Sequence, residues 1–185
     1  PVIPNKLNKY IKELTPQNPD SIFASAKYLV DRVLDSPEYY KYFANWITVQ
    51  YDPKESTMMD PQAIVVNMIE NYFTHDRAFW SDSVEVFGLQ QRAFEMSASL
   101  VGKKGPNVTS TGLDGKQYSI YDIKEPYVVV YMFNPTCEHC MVESPKLVEW
   151  YKEWKNKGVE VYSIGVDTND KEWREYVTSK GMDAF

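Results

Sequence analysis

Apolar residues recur at helical spacing through the first hundred residues of the chain. Ser36-Pro37-Glu38 and Asp60-Pro61-Gln62 each place a capping side chain before a proline that suits the first helical position, so each predicts a helix start. Further helices are predicted over residues 6–14, 20–34 and 82–100. The predicted apolar faces of the two proline-started helices are Tyr39, Tyr42, Phe43, Trp46 and Ile47 in the first, and Ile64, Val65, Met68, Ile69 and Tyr72 in the second.

The pattern changes at residues 102–106, which read Gly-Lys-Lys-Gly-Pro. Residues 107–120 predict a β-hairpin, because Asp114-Gly115 tolerates the positive φ that a tight turn requires. The order that follows is a strand over residues 127–133, a helix over 138–157, a strand over 159–166 and a helix over 170–180. This βαβα order implies a parallel strand pair with a right-handed crossover. We therefore predict an all-α domain over residues 1–100 and an α/β domain over residues 101–185.

Composition and charge exclude several classes of protein. With 185 residues, 43% of them apolar, the chain can build a core in one or two domains. Its 20 basic and 26 acidic residues are mixed, so there is no basic stripe for nucleic acid and no polybasic membrane patch, and we expect neither partner. No uncharged stretch approaches the roughly 20 residues that span a bilayer. The chain starts without an initiator Met or a signal peptide, which predicts a piece of a longer precursor.

The two cysteines form one C-x-x-C motif, Cys137 and Cys140, between the predicted strand and helix. Two thiols at this spacing lie on one helix face, where a disulfide can close and reopen without backbone movement. Helix N-terminal amides stabilise a thiolate, so Cys137 is predicted as the exposed nucleophile and Cys140 as the buried partner that resolves a mixed disulfide. His139 is predicted to stabilise the Cys137 thiolate and Glu138 to oppose it, and the sequence leaves open which effect dominates.

Three competing roles for the motif fit the sequence less well. A zinc site needs further ligands, and the histidine outside the motif, His75, is better interpreted as a helix-end residue. Haem attachment requires a histidine where Met141 stands. A static disulfide across so short a loop would constrain the unfolded chain little. Reversible redox exchange is the preferred interpretation, with no metal and no cofactor.

Residues 127–145 resemble the thioredoxin superfamily, specifically the envelope thiol-disulfide oxidoreductases related to ResA and TlpA. The resemblance rests on the run from Phe133 to Cys140, which reads Phe-Asn-Pro-Thr-Cys-Glu-His-Cys, and then on Glu143 and Pro145. It implies that Pro145 kinks the helix and that Glu143 adjusts thiol protonation. An exposed first-turn Glu favoured by the helix dipole accounts for Glu143 equally well.

The resemblance also implies a setting. The partners would be protein thiols and disulfides, in the periplasm or cell envelope of a Gram-negative bacterium. The protein would be a lipoprotein, whose membrane anchor is a lipidated N-terminus outside this chain. Its work would include reduction of apocytochrome disulfides and a part in cell redox homeostasis.

The chain departs from the family pattern at several positions. A buried Asp of thioredoxin is replaced by Tyr131, and the Trp that usually precedes the first cysteine is replaced by Thr136. No proline follows Pro145, so we predict a thioredoxin-like domain truncated before the cis-Pro loop. An apolar strand left at a sheet edge invites pairing, which predicts aggregation or a domain-swapped dimer of this fragment.

The first hundred residues resemble the helical domain of uncharacterised function that precedes such a redox domain in bacterial envelope lipoproteins. Its aromatic stripe is better interpreted as packed helix faces than as a peptide groove. The preferred function is thiol-disulfide exchange. The alternatives are a binding or scaffolding protein whose helical module carries the function, and a thiol peroxidase. The peroxidase is disfavoured because Val130 and Asn134 occupy the positions of its required Pro and Thr.

Overall fold

The computed structural model describes residues 2–185 and divides the chain into a first unit that ends at Pro106 and a second unit, Asn107–Phe185. The sequence predicts this boundary after residue 100. The structure extends the first unit because its last segment is tied back to it. The Val101 N–H donates to the Asp60 carboxylate at 3.1 Å, and the Lys103 N–H donates to the Leu100 carbonyl at 3.0 Å.

The first unit packs helices around an apolar core. Each helical segment predicted from the sequence overlaps a helix of this unit. The helices are α1 Val2–Asn8, which continues as the π-helix Lys9–Glu13, then α2 Pro19–Asp31, α3 Pro37–Gln50, α4 Gln62–Tyr72 and α5 Ser83–Ser97. Their largest fully buried side chains include Tyr72, Ile11, Ile22, Ile47, Ile64, Met68 and Ile69.

Helix α5 has the most complete N-terminal cap. The Asp82 carboxylate accepts hydrogen bonds from the N–H groups of Val84 at 2.8 Å and Glu85 at 2.9 Å. The Glu85 carboxylate in turn accepts from the Asp82 N–H at 3.3 Å, which completes a capping box.

The two caps predicted from proline positions differ in the structure. Helix α3 begins at Pro37 as predicted, but the Ser36 side chain makes no capping hydrogen bond to any described residue. Helix α4 begins at Gln62, one residue later than predicted, after Pro61. The reason is that Asp60 adopts a φ of 54° and its carboxylate accepts a hydrogen bond from the Val101 N–H, so it does not serve as a cap.

The second unit contains the predicted βαβα order after a short hairpin. Strands β1 and β2 pair antiparallel, and β3 and β4 pair parallel with Tyr127 opposite Val159 and Phe133 opposite Gly165. The long helix is shorter than predicted because its last turn tightens into a 3-10 helix at Lys155–Lys157. The elements are β1 Thr109–Thr111, β2 Gln117–Ser119, β3 Tyr127–Phe133, α6 Glu138–Trp154, β4 Val159–Gly165 and α7 Asp170–Lys180.

Gly158 sets where β4 begins. Its φ of 77° is left-handed, which favours glycine, and a Cβ there would lie 3.1 Å from the Cδ of Pro126. Its carbonyl accepts from the Tyr127 N–H at 3.2 Å. The start of β3 is therefore paired to the residue that immediately precedes β4.

The two faces of β3 differ in burial. Phe133 is buried with Tyr176, Val177 and Met182, and a second cluster joins Leu147, Tyr151 and Val161. The opposite face carries Val130, 48% exposed, and Met132, 65% exposed. Within residues 2–185, β3 pairs with β4 alone, so its other edge is open. In the same part of the chain, no helix has the length and apolar character needed to cross a membrane.

Candidate active site

The chain turns sharply between β3 and α6 through Asn134. Its side-chain carbonyl accepts from the Thr136 N–H at 2.8 Å and from the Thr136 hydroxyl at 2.7 Å. Its main-chain carbonyl accepts from the Cys137 N–H at 3.0 Å. An Asn side chain that bonds two residues ahead forms an Asx turn. The turn places Cys137 at the N-cap of α6, where its carbonyl accepts from the Met141 N–H at 3.1 Å.

Cys137 lies where a helix N-terminus can stabilise its thiolate. Its side chain makes no cap hydrogen bond with the described residues, and the pKa of its thiol is lowered. The largest cause is the main-chain N–H of Cys140, followed by the Cys140 thiol. The main-chain N–H of His139 adds to the effect, whereas burial and the Glu138 carboxylate raise the pKa. The net lowering is the property expected of an attacking thiol.

His139 is exposed, and its main-chain N–H is among the causes that lower the pKa of Cys137. A role for its imidazole at the thiolate stays a prediction. Glu138 opposes the thiolate through its charge, in the direction that the sequence predicts.

Cys140 lies one turn into α6 and faces the interior of the unit. Both cysteines are free, and both are partly buried. Cys140 packs against the cluster of Phe133, Tyr176, Val177 and Met182. The two sulfurs therefore differ in surroundings, one at the helix N-terminus and the other against apolar side chains.

Three hydroxyls, called here the hydroxyl network, join β3, α6 and α7 next to Cys140. The Ser144 side chain has no exposed surface, and its Oγ lies 2.9 Å from the hydroxyl of Tyr131 and 2.9 Å from that of Tyr176. Burial raises the pKa of both tyrosines, and proximity to Cys140 raises each further. Tyr131 and Cys140 pack against the same buried cluster.

Sequence reasoning missed the roles of Ser144 and Tyr176. One signal could have indicated the first, because Ser144 falls at helical spacing from Cys140, Leu147 and Tyr151 on the buried face of α6. A serine on an otherwise apolar face requires a hydrogen-bond partner.

Three further residues singled out from the sequence are Glu143, Pro145 and His75. The Glu143 carboxylate pairs with the Lys146 ammonium at 2.7 Å and is 49% exposed. Because α6 begins at Glu138, Glu143 lies in the second turn and not in the first turn that the helix-dipole interpretation assumes. Pro145 lies inside α6, where it has no N–H to donate to the preceding turn. His75 is exposed between α4 and α5.

Comparison with known sequences finds relatives of the second unit. A profile described as the AhpC/TSA family matches residues 101–182. A thiol-disulfide oxidoreductase ResA from Bacillus thuringiensis is 32% identical over 82 residues, which are 44% of this chain and 47% of the relative. A ResA from Bacillus cereus is 32% identical over 92 residues, 49% of this chain and 53% of the relative. The chain thus spans about half the length of the curated relatives it matches.

Comparison with solved structures supports the fold over a longer range. A thioredoxin-like protein from Bacteroides caccae superimposes with a TM-score of 0.68 over 87% of this chain and 58% of its own length, at 20% identity. At that identity the likeness shows a thioredoxin-like fold and nothing further. Residues 101–182 are thus similar to the AhpC/TSA family and to the ResA thiol-disulfide oxidoreductases, and the chain has a thioredoxin-like fold.

Proposed function

We propose that the protein is a thiol-disulfide oxidoreductase that exchanges disulfides with other proteins through its Cys-Glu-His-Cys motif. The observation that carries the proposal is Cys137 at the N-cap of α6, with a lowered pKa, one helical turn from the free Cys140. The names of the ResA relatives support the same class of reaction.

The exchange proceeds in two balanced steps. The Cys137 thiolate attacks one sulfur of a substrate disulfide, a new S–S bond forms, and the substrate bond breaks. The released substrate sulfur leaves with the electron pair and takes up a proton. Cys140 then loses its proton to solvent and attacks the Cys137 sulfur, which closes the Cys137–Cys140 disulfide and releases the second substrate thiol. The substrate gains two electrons, and the protein loses two.

The proposed substrates are disulfide-bonded proteins of the cell envelope, apocytochromes among them. The similarity to ResA supports an envelope location in general. It gives no support to a Gram-negative periplasm in particular, because the curated relatives come from Bacillus, which is Gram-positive.

Disulfide reduction by the whole chain tests the proposal. With dithiothreitol as electron donor, the wild-type chain is expected to accelerate insulin reduction, and Cys137→Ser to abolish the acceleration. Cys140→Ser is expected to keep the first step and accumulate a mixed disulfide with insulin, visible by mass spectrometry. A wild-type chain that neither reduces insulin nor forms a mixed disulfide would refute the proposal.

The name of the AhpC/TSA profile favours a second candidate, thiol peroxidase. That chemistry uses a Pro and a Thr at the positions of Val130 and Asn134. Here the Asn134 side chain is occupied by the Thr136 N–H and hydroxyl, so we rank peroxide reduction below disulfide exchange. Reduction of hydrogen peroxide at a rate above that of insulin would reverse the ranking.

Exposed aromatic residues on α5 favour a third candidate, in which the helical unit is a binding or scaffolding module. Phe87 is 68% exposed and Phe94 is 72% exposed. Under this candidate, cells that carry Cys137→Ser would keep the wild-type phenotype, whereas Phe87→Ser would lose it. The redox proposal expects the opposite pair of results.

A further inference from the structure

We infer that the hydroxyl network activates Cys140 for the second step of exchange, with Tyr131 donating a hydrogen bond to the Cys140 thiolate and Ser144 and Tyr176 orienting Tyr131. This inference rests on the proposed function. It adds one residue that contacts a reacting sulfur, Tyr131, and two positioning residues, Ser144 and Tyr176.

The three hydroxyls of the network carry enough protons for one of them to donate a hydrogen bond to the Cys140 sulfur. Each hydroxyl carries one proton that it can donate. Two of the three protons form the links of Ser144 to Tyr131 and to Tyr176, each 2.9 Å long. When Tyr176 donates to Ser144 and Ser144 donates to Tyr131, the proton of Tyr131 remains free for the sulfur. Tyr131 and Cys140 pack against the same buried cluster, and the Tyr131 hydroxyl bonds Ser144, which lies one helical turn after Cys140, so the free proton is placed to be donated to the sulfur.

A hydrogen-bond donor to Cys140 matters because the side chains around this cysteine are apolar. Its neighbours Phe133, Val177 and Met182 are apolar, and a negative charge that forms among them is unfavourable unless a donor faces it. The network lies on the buried side of α6, where Ser144 has no exposed surface. It thus supplies hydrogen bonding where water is largely excluded.

Other charged or titratable groups near this site come from two elements. On α6, Cys137 lies one helical turn before Cys140, and the Glu143 carboxylate is paired with Lys146. On α7, the Lys180 ammonium lies 5.7 Å from the centre of the Tyr176 ring. On β3, the facing group is Tyr131 itself.

Tyr131 occupies the position of the buried Asp in thioredoxin, but the chemistry of the two side chains differs. A carboxylate can accept a proton from a thiol, whereas a neutral phenol donates a hydrogen bond to a thiolate. The structure therefore assigns Tyr131 to stabilising the ionised form of Cys140, with the proton released to solvent.

The two steps can be timed separately in the whole reduced chain with dithiobis(nitrobenzoate). Attack by Cys137 releases one thionitrobenzoate, and attack by Cys140 on the resulting mixed disulfide releases a second. Stopped-flow absorbance over a range of pH gives a rate and a pH profile for each release. The first release reports the proposed function, and the second reports the inference.

Tyr131→Phe keeps the aromatic ring and removes the hydroxyl. We expect an unchanged first release and a second release about tenfold slower near neutral pH, since a hydrogen bond to a charged group is worth about 1.5 kcal/mol or more. The pH profile of the second release should move to higher pH, because the variant lacks the donor that favours the ionised thiol. At high pH the variant and wild-type rates should converge, which a structural defect would not produce.

Ser144→Ala and Tyr176→Phe provide independent variants, with smaller shifts in the same direction. Tyr162→Phe is the matched control, because it removes a hydroxyl that bonds the hairpin through Ser110 and the Tyr118 carbonyl. We expect both releases to be unchanged in this control. A second release with wild-type rate and pH profile in Tyr131→Phe and Ser144→Ala would overturn the inference. A wild-type chain without the first release would overturn the proposed function and the inference together.

Discussion

The main chain of Cys140 lowers the pKa of Cys137, and hydrogen bonding from its N–H is the largest cause of that lowering. One residue of the motif therefore supports the other through its backbone before any disulfide forms. The contact depends on Cys137 standing at the N-cap, since only there do the free N–H groups of the first turn face its side chain.

The opposing charge of Glu138 gives a testable pH dependence. Since the carboxylate raises the pKa of Cys137, Glu138→Gln should lower it further. The rate of Cys137 alkylation by iodoacetamide should then reach half its maximum at a lower pH than in the wild type. Glu149→Gln is a suitable control, because Glu149 pairs with Lys152 farther along α6. A half-maximal pH that is higher in Glu138→Gln than in the wild type would contradict the effect assigned to the Glu138 charge.

Two helix N-termini of the first unit offer a matched test of capping. Asp82→Ala should lower the free energy of unfolding by about 1 kcal/mol, because it removes the cap bonds to Val84 and Glu85. Ser36→Ala should change it by less than about 0.5 kcal/mol, since the Ser36 side chain makes no cap bond within the described residues. Urea unfolding followed by circular dichroism measures both. Equal losses in the two variants would show that the capping geometry is wrong.

The buried Tyr72 makes part of the stability of the helical unit depend on pH. Its hydroxyl donates to the Asp31 carboxylate at 2.7 Å. Burial raises the pKa of Asp31, but hydrogen bonds from Lys27 and Tyr72 outweigh it, and the pKa is lowered. A carboxyl whose pKa is lowered by folding contributes stability above its unfolded pKa and loses it as the pH falls through the folded value.

Tyr72→Phe should therefore lower the free energy of unfolding by about 1–2 kcal/mol at pH 7, and by less once Asp31 is protonated. Urea unfolding at pH 7 and below pH 3 measures the difference. Tyr39→Phe serves as the control, because Tyr39 is 51% exposed and its change should stay within about 0.5 kcal/mol. A loss in Tyr72→Phe that is constant over this pH range would contradict the role of Asp31.

The open edge of β3 predicts association of the chain. Since β3 is paired only with β4 in the described part of the chain and carries exposed Met132, its free edge can pair with a second copy. Light scattering should show dimers or larger species whose share rises with concentration.

Met132→Lys should shift this equilibrium about tenfold or more toward the monomer, because a charge on an exposed edge opposes pairing. Trp150→Lys, at an exposed position of α6, should leave it unchanged. A wild-type chain that stays monomeric at high concentration would refute the prediction.

The order of the secondary-structure elements was predictable from the sequence, and so was the position of the two cysteines between a strand and a helix. Both depend on residues that are neighbours in the sequence. The apolar run in residues 127–133, the position of the motif and the start of α7 depend on neighbours in sequence, and β3 and α7 have the predicted bounds. The hydrogen bond from the Val101 N–H to the Asp60 carboxylate was not predictable, because it joins residues 41 positions apart. The same holds for Ser144 and Tyr176, whose contact depends on how α6 and α7 pack.

Gly158 lies at the opposite end of β3 from the sulfurs, yet it affects their chemistry. Because β3 and β4 run parallel, the pairing of Tyr127 with Gly158 also determines which residue of β3 stands beside each residue of β4 up to Phe133. A bulkier residue at Gly158 that displaced β3 by one position would turn Tyr131 to the other face of the sheet. The chemistry of Cys140 would then be altered by a substitution immediately before β4, a full strand length away.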